Sequence, residues 1–200
     1  MRIDAVVLAG GRATRLGGTP KAQVVVGPAT LLEHALAATR GAEATAVVGP
    51  VPTGAPPDVV VTREDPPFGG PVAGLDAGLR ALDRPDAPDR VLVLAVDVPG
   101  AAAAAAALHD AAAEHPEADG VHLVHDGRAQ WLTGIYRRAA LTGALAGLEP
   151  HGAPVRRLVA PLRLVAVPDG SGMSDDADTW EDVDRLSARF AAAHDEGGTA

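Results

Sequence analysis

Two hundred residues, 47% of them hydrophobic, suffice for one domain around one substantial core, and no second domain is expected. Seventeen basic against 26 acidic side chains leave a net charge of −9, which argues against a nucleic-acid or anionic-membrane surface, while the absence of cysteine excludes disulfides, thiolate metal sites and cysteine nucleophiles. No apolar run approaches the ~20 residues that span a bilayer, and MRIDAVVLAGG lacks a signal core with a cleavage site, so a cytoplasmic location without a membrane partner is expected.

Ile3 to Leu8 is a nearly continuous apolar run, the pattern of a buried parallel strand. It ends in Gly10-Gly11, passes Arg12 and Arg15, reaches a second pair, Gly17-Gly18, and arrives at Lys21. Glycine pairs let backbone N–H groups approach an anion closely, and the three bases put charge where a polyphosphate would lie. Lys21 is the only lysine in the chain, so its compact ammonium is expected to matter. The spacing is neither that of a P-loop nor that of the dinucleotide fingerprint; this longer loop suits a whole nucleoside triphosphate.

The stretch LAGGRATRLGGTPK resembles the signature of nucleotidyltransferases that carry a Leu-Ala-Gly-Gly or Leu-Ala-Ala-Gly loop, and among them most resembles the molybdenum cofactor guanylyltransferases. The likeness extends over roughly Ile3 to Leu186. It implies an α/β fold: a Rossmann-like, doubly wound, mostly parallel sheet flanked by helices, as in the nucleotide-diphospho-sugar transferases. One domain over residues 1–190 with a disordered tail at 191–200 is expected. The resemblance also implies Mg2+-dependent transfer of GMP from GTP to the phosphate of molybdopterin, or of its molybdenum-loaded form, with release of pyrophosphate. Other proteins of molybdenum cofactor synthesis, or molybdoenzyme chaperones, are the implied protein partners. In that scheme Leu8, Ala9, Gly10 and Gly11 contact the nucleotide, and Arg15 and Lys21 hold its β- and γ-phosphates.

Beyond the loop, Gln23 to Val26 lead into LLEHALAAT, a helix with Thr30 as its N-cap. Ala44 to Val48 and Val59 to Thr62 read as two more buried strands, separated by the Pro- and Gly-rich loop GPVPTGAPP. In REDPPFGGPVAGLDAGLRAL a helix starts near Pro71, with proline in its first turn. Gly70, Gly74 and the preceding Asp65 match the family's nucleoside-contacting turn, although Asp65 also suits a plain capping role. Arg90 to Val96 is a buried strand ending in Asp97-Val98-Pro99, which puts a carboxylate where ligands bind in open α/β sheets. Asp97 matches the family's metal-holding Asp-x-Pro. Its alternative is to cap the alanine-rich helix Ala101 to His115.

Val121 to Asp126 is the next strand. QWLTGIY then resembles the family's Gln-Pro-Leu-x-Gly-x-Tyr, with Trp131 in place of proline. Arg137 to Leu148 and Gly152 to Val159 read as helices, and Leu162 to Val167 as the last strand. Arg156, beside Arg157, falls near a basic family position facing the molybdopterin acceptor; a solvated arginine pair is the other reading. In the closing DADTWEDVDRL, Asp176 and Asp178 stand where the family commonly has asparagine, and Asp178 either reaches the metal or acceptor or serves capping chemistry. Two rivals to guanylyl transfer stay open: a relative transferring CMP or activating another phosphate acceptor, and a nucleotide-binding module without turnover.

Overall fold

The chain runs β1 (Asp4–Leu8), a short 3-10 turn (Lys21–Gln23), β2 (Val25–Val26), β3 (Ala29–Thr30), α1 (Leu31–Ala38), β4 (Thr45–Val48), β5 (Val59–Thr62), α2 (Gly70–Ala81), β6 (Arg90–Ala95), α3 (Ala101–Glu114), β7 (Gly120–His125), β8 (Arg128–Arg137), α4 (Arg138–Ala146), α5 (Val155–Val159), β9 (Leu164–Pro168) and α6 (Trp180–Gly197). The computed structural model describes residues 1–10, 16–50 and 56–197. The predicted loop residues Gly11, Arg12 and Arg15 lie outside the described residues.

β1 is buried along its whole length, and the sheet is built outward from it in the order β5-β4-β1-β6-β8-β7-β9. β1 pairs in parallel with β4 and β6, β4 with β5, and β7 with β9; β8 alone runs antiparallel, between β6 and β7. Alternate side chains of β1 enter different cores. Val6 and Leu8 face α2, α4 and α5, joined by Val72, Leu75, Leu141 and Leu158. Val7 faces α1 and α6 through Leu31, Ala35 and Leu186, and Ala5 faces the alanine-rich α3. Helices therefore cover both faces of a mostly parallel sheet, which is why its strands read as unbroken apolar runs. The expected α/β, single-domain, doubly wound architecture is the one observed.

Small residues let the helices come close. A Cβ on Gly78 of α2 would stand 2.6 Å from a Val6 methyl and 3.0 Å from one of Val48, so only glycine admits this separation of helix and sheet. Thr30 caps α1 in a reciprocal box with Glu33, as the sequence predicts. No helix among the described residues is long and apolar enough to cross a membrane.

Two elements differ from expectation. β8 is a ten-residue strand where the sequence suggested none before the helix. Its alternation is broken because the pairing with β7 jumps from His122↔Gly134 to Leu123↔Gln130, leaving Trp131, Leu132 and Thr133 as a bulge. The turn into it, Asp126-Gly127, has positive φ at both residues (48° and 71°), as a two-residue hairpin requires. The last helix runs to Gly197, beyond residue 190 where the domain was expected to end.

Candidate active site

β1 is the switch point of the sheet, with β4 on one side and β6 on the other, and a crevice opens beyond the carboxyl ends of these strands. A cavity of about 380 Å³ occupies it. Leu8, Gly10 and Val48, the β6 end Ala95, Val96 and Asp97, the start of α2 at Gly70, Pro71 and Gly74, and Glu64, Phe68 and Leu132 line it. The β8 bulge is what carries Leu132 there, and the Tyr136 hydroxyl secures the bulge by donating to the Trp131 carbonyl at 2.6 Å.

Around Asp97 lies an ion cluster. The Lys21 ammonium donates to Asp97 Oδ2 and to Asp178 Oδ1, each at 2.5 Å. Burial opposes the charge on Lys21, but Asp97 and Asp178 more than offset it and hold the ammonium above its ordinary pKa. Three separate elements build this cluster: the turn after the glycine loop, the end of β6, and the segment before α6. That last segment is pinned to the β6 end, because the Ala177 N–H donates to the Asp97 carbonyl at 2.8 Å. Thr179, in a reciprocal box with Asp182, caps α6. Asp178 is thus left to face Lys21 instead of capping. Asp176 remains exposed, yet its carboxyl is raised, first by partial loss of hydration and then by the charges of Asp178 and Asp97.

The predicted nucleotide residues divide. Leu8, Gly10, Gly70, Gly74 and Asp97 line the cavity, with Lys21 bonded to Asp97. Ala9 lies beneath it, and its N–H is committed to the Val48 carbonyl at 2.8 Å. Asp65 is not among the residues lining this cavity; with Asp76, Arg80 and His151 it lines a neighbouring groove, and the adjacent Glu64 lines both. β5 ends at Thr62, where the sequence placed the strand end, and the Glu64 carboxylate turns back to accept the Phe68 N–H at 3.0 Å. Arg156 is exposed on α5 and is not part of the cavity lining. Gly11 and Arg15 lie outside the described residues.

The donor set fits magnesium. Asp97 and Asp178 offer hard carboxylate oxygens within reach of one small cation, and both remain partly open to solvent. No three acidic or imidazole side chains among the described residues form a ready metal cage. Magnesium suits such a site, since it takes one or two carboxylates and fills its octahedron with water and phosphate oxygens.

Residues 5–167 match the family described as the MobA-like NTP transferase domain. The chain belongs to that family. Among curated proteins, this MobA-like NTP transferase chain is 37% identical over 136 residues to the molybdenum cofactor guanylyltransferase of Rhizobium johnstonii, a match covering 67% of the chain and 63% of the relative's length. Among solved structures, it superimposes on the Mycobacterium sp. strain JC1 homologue of Mycobacterium tuberculosis Rv0371c with a TM-score of 0.70 and 26% identity, covering 96% of this chain and 100% of that one. Molybdopterin-guanine dinucleotide biosynthesis protein A from Archaeoglobus fulgidus shares the fold, with a TM-score of 0.68, 21% identity and coverage of 94% and 99%.

Proposed function

We propose that the protein is a Mg2+-dependent guanylyltransferase that transfers GMP from GTP to the phosphate of molybdopterin or of its molybdenum-loaded form. The observation that carries this reading is the Lys21–Asp97–Asp178 cluster, joined through Asp97 to a cavity that Glu64 also lines. A nucleoside triphosphate fits between them, base toward Glu64 and phosphates toward Lys21. Guanine presents N1–H and N2–H donors on one edge, and a carboxylate is the acceptor that suits both. Adenine and cytosine lack that donor pair.

In the reaction a phosphate oxygen of the acceptor attacks the α-phosphorus of GTP in line. A new P–O bond forms, the bond to the β-phosphate breaks, and the electron pair leaves with pyrophosphate. The nucleophile is already anionic at neutral pH, so positioning and charge stabilisation do most of the work. Asp97 and Asp178 would hold Mg2+, which supplies charge neutralisation at the α-phosphate. Lys21, relieved of those carboxylates, turns its ammonium to the β- and γ-phosphates, and Arg15 joins it from the glycine loop. Arg156 is proposed to meet the acceptor from the far side.

Pyrophosphate release, measured with each nucleoside triphosphate, Mg2+ and molybdopterin, tests the reading. Release with GTP in clear preference to CTP supports it. Preference for CTP moves the assignment to a cytidylyltransferase, and nucleotide binding without release to a module that lacks turnover.

A further inference from the structure

His125 ends β7, outside the cavity, and both of its ring nitrogens meet acceptors. Nδ1 lies 2.9 Å from the Asp169 carbonyl oxygen and Nε2 lies 3.1 Å from an Asp175 carboxylate oxygen. Nδ1 is within hydrogen-bond distance of the carbonyl, and protonation of the ring adds a charge attraction between Nε2 and the Asp175 carboxylate. Every element around it contributes charge. Asp126 of the hairpin turn lies 3.6 Å from Nε2, and the Asp169 carboxylate 3.8 Å from Nδ1. Asp175 is itself held by Arg185 and Arg189 of α6, at 3.0 and 2.7 Å, and Arg128 lies opposite His125 in the hairpin register. The hydrogen bond to the Asp169 carbonyl is the largest influence. Burial opposes it, and with Asp126, Asp175 and Asp169 it holds the imidazole pKa above its ordinary value.

The segment His125 grips is the one that delivers Asp178. It is anchored at its start by the Asp169 carboxylate, which accepts from the N–H groups of Ser171, Met173 and Ser174. It is anchored near its end by the Ala177 N–H on the Asp97 carbonyl. Asp175 sits between these anchors, three residues before Asp178.

We propose that protonated His125 is a positioning residue: through Asp175 it clamps the 169–178 segment and so holds Asp178 against Lys21 beside Asp97, tightening the nucleotide site as pH falls. The link to nucleotide rests on the proposed function, whereas the clamp itself does not. The sign follows from the raised pKa. The clamp is complete below the ordinary imidazole pKa and is released as pH rises through the higher folded value.

Amide hydrogen exchange reads the clamp with no nucleotide present. Near pH 6, the amides of Ser174 and Ala177 should exchange about two- to fivefold faster in His125→Gln than in the parent, the scale of a partly exposed charge pair. The ratio should fall toward one near pH 9 as the parent imidazole loses its proton. Asp175→Asn, which also loosens the pairs with Arg185 and Arg189, should speed exchange near both pH values. Parent-like exchange in His125→Gln near pH 6, or a His125→Gln difference that persists near pH 9, overturns the clamp. The second arm is the GTP KM, which His125→Gln should raise by about two- to fivefold near pH 6 with kcat held and parent-like behaviour near pH 9. An unmoved KM alongside altered exchange overturns the coupling to the site. Should no nucleotide turn over, the exchange arm still decides the clamp, and only the functional reading falls.

Discussion

The two ends of β1 carry two ion clusters whose carboxylates differ in burial. At its start, Asp4 is fully buried between two arginines: Arg84 donates to both carboxylate oxygens at 2.8 and 2.9 Å, and Arg138 closes the other side. Beyond its end, one lysine stands between Asp97 and Asp178. The Asp4 carboxylate itself is closed to water and fully supplied with donors, while Arg84 stays partly exposed and also pairs with Glu43 and Asp86. The second is short of positive charge and partly open. Burial with satisfied partners marks a clamp between β1, the loop before β6 and the start of α4; exposure with surplus negative charge marks a place for something cationic and its phosphates. Burial of the carboxylate, more than the presence of an ion pair, separates structure from function here.

The comparison breaks most sharply on substitution of one aspartate in each cluster. Asp97→Asn should lower nucleotidyl transfer by more than ~10³-fold, several kcal/mol of charge stabilisation, while moving Tm by less than about 3 °C; parent-like rates in a pyrophosphate-release assay would place the metal elsewhere. Asp4→Ala should do the reverse. It leaves two arginines facing an emptied buried site, and urea unfolding should show a loss of about 3–5 kcal/mol with kcat per folded molecule retained. A stability change under about 1 kcal/mol would show that the buried cluster is not a clamp.

Lys21→Ala should reduce turnover by on the order of 10²-fold, the scale of one lost transition-state donor. Lys21→Arg should not restore it, because a planar guanidinium cannot sit between two carboxylates and then turn to phosphate as a point charge does. Without nucleotide, Lys21→Ala should also bind Mn2+ more tightly than the parent in a paramagnetic titration, since the resident ammonium no longer competes. The smallest effect belongs to the base end: Glu64→Gln should raise the GTP KM by about tenfold, the scale of a hydrogen bond to a charged group. Its GTP-to-CTP preference should narrow, whereas Asp65→Asn leaves both unchanged.

Local signals carried the sequence reading a long way. The apolar run into Gly10, the Asp97 strand end and the Pro71 helix start are each written in a few adjacent residues, and each is found where expected. What escaped depends on distance or on one-residue turns. Lys21 and Asp178 are 157 positions apart, and no spacing rule joins them. Glu64 and Asp65 are adjacent acids that share one groove, and only the path of the backbone after Thr62 lets Glu64 line the cavity as well. β8 was hidden because its bulge at 131–133 interrupts the alternation that identifies a strand, although Asp126-Gly127 held the hairpin signal.

Lys21 is the only lysine, so the chain's only side-chain amine stands inside the ion cluster. Reductive methylation with 13C-formaldehyde would therefore give a single side-chain NMR resonance beside that of any terminal amine. Its chemical shift would record whether the amine faces carboxylate or phosphate, which makes the site its own spectroscopic reporter without any engineered label.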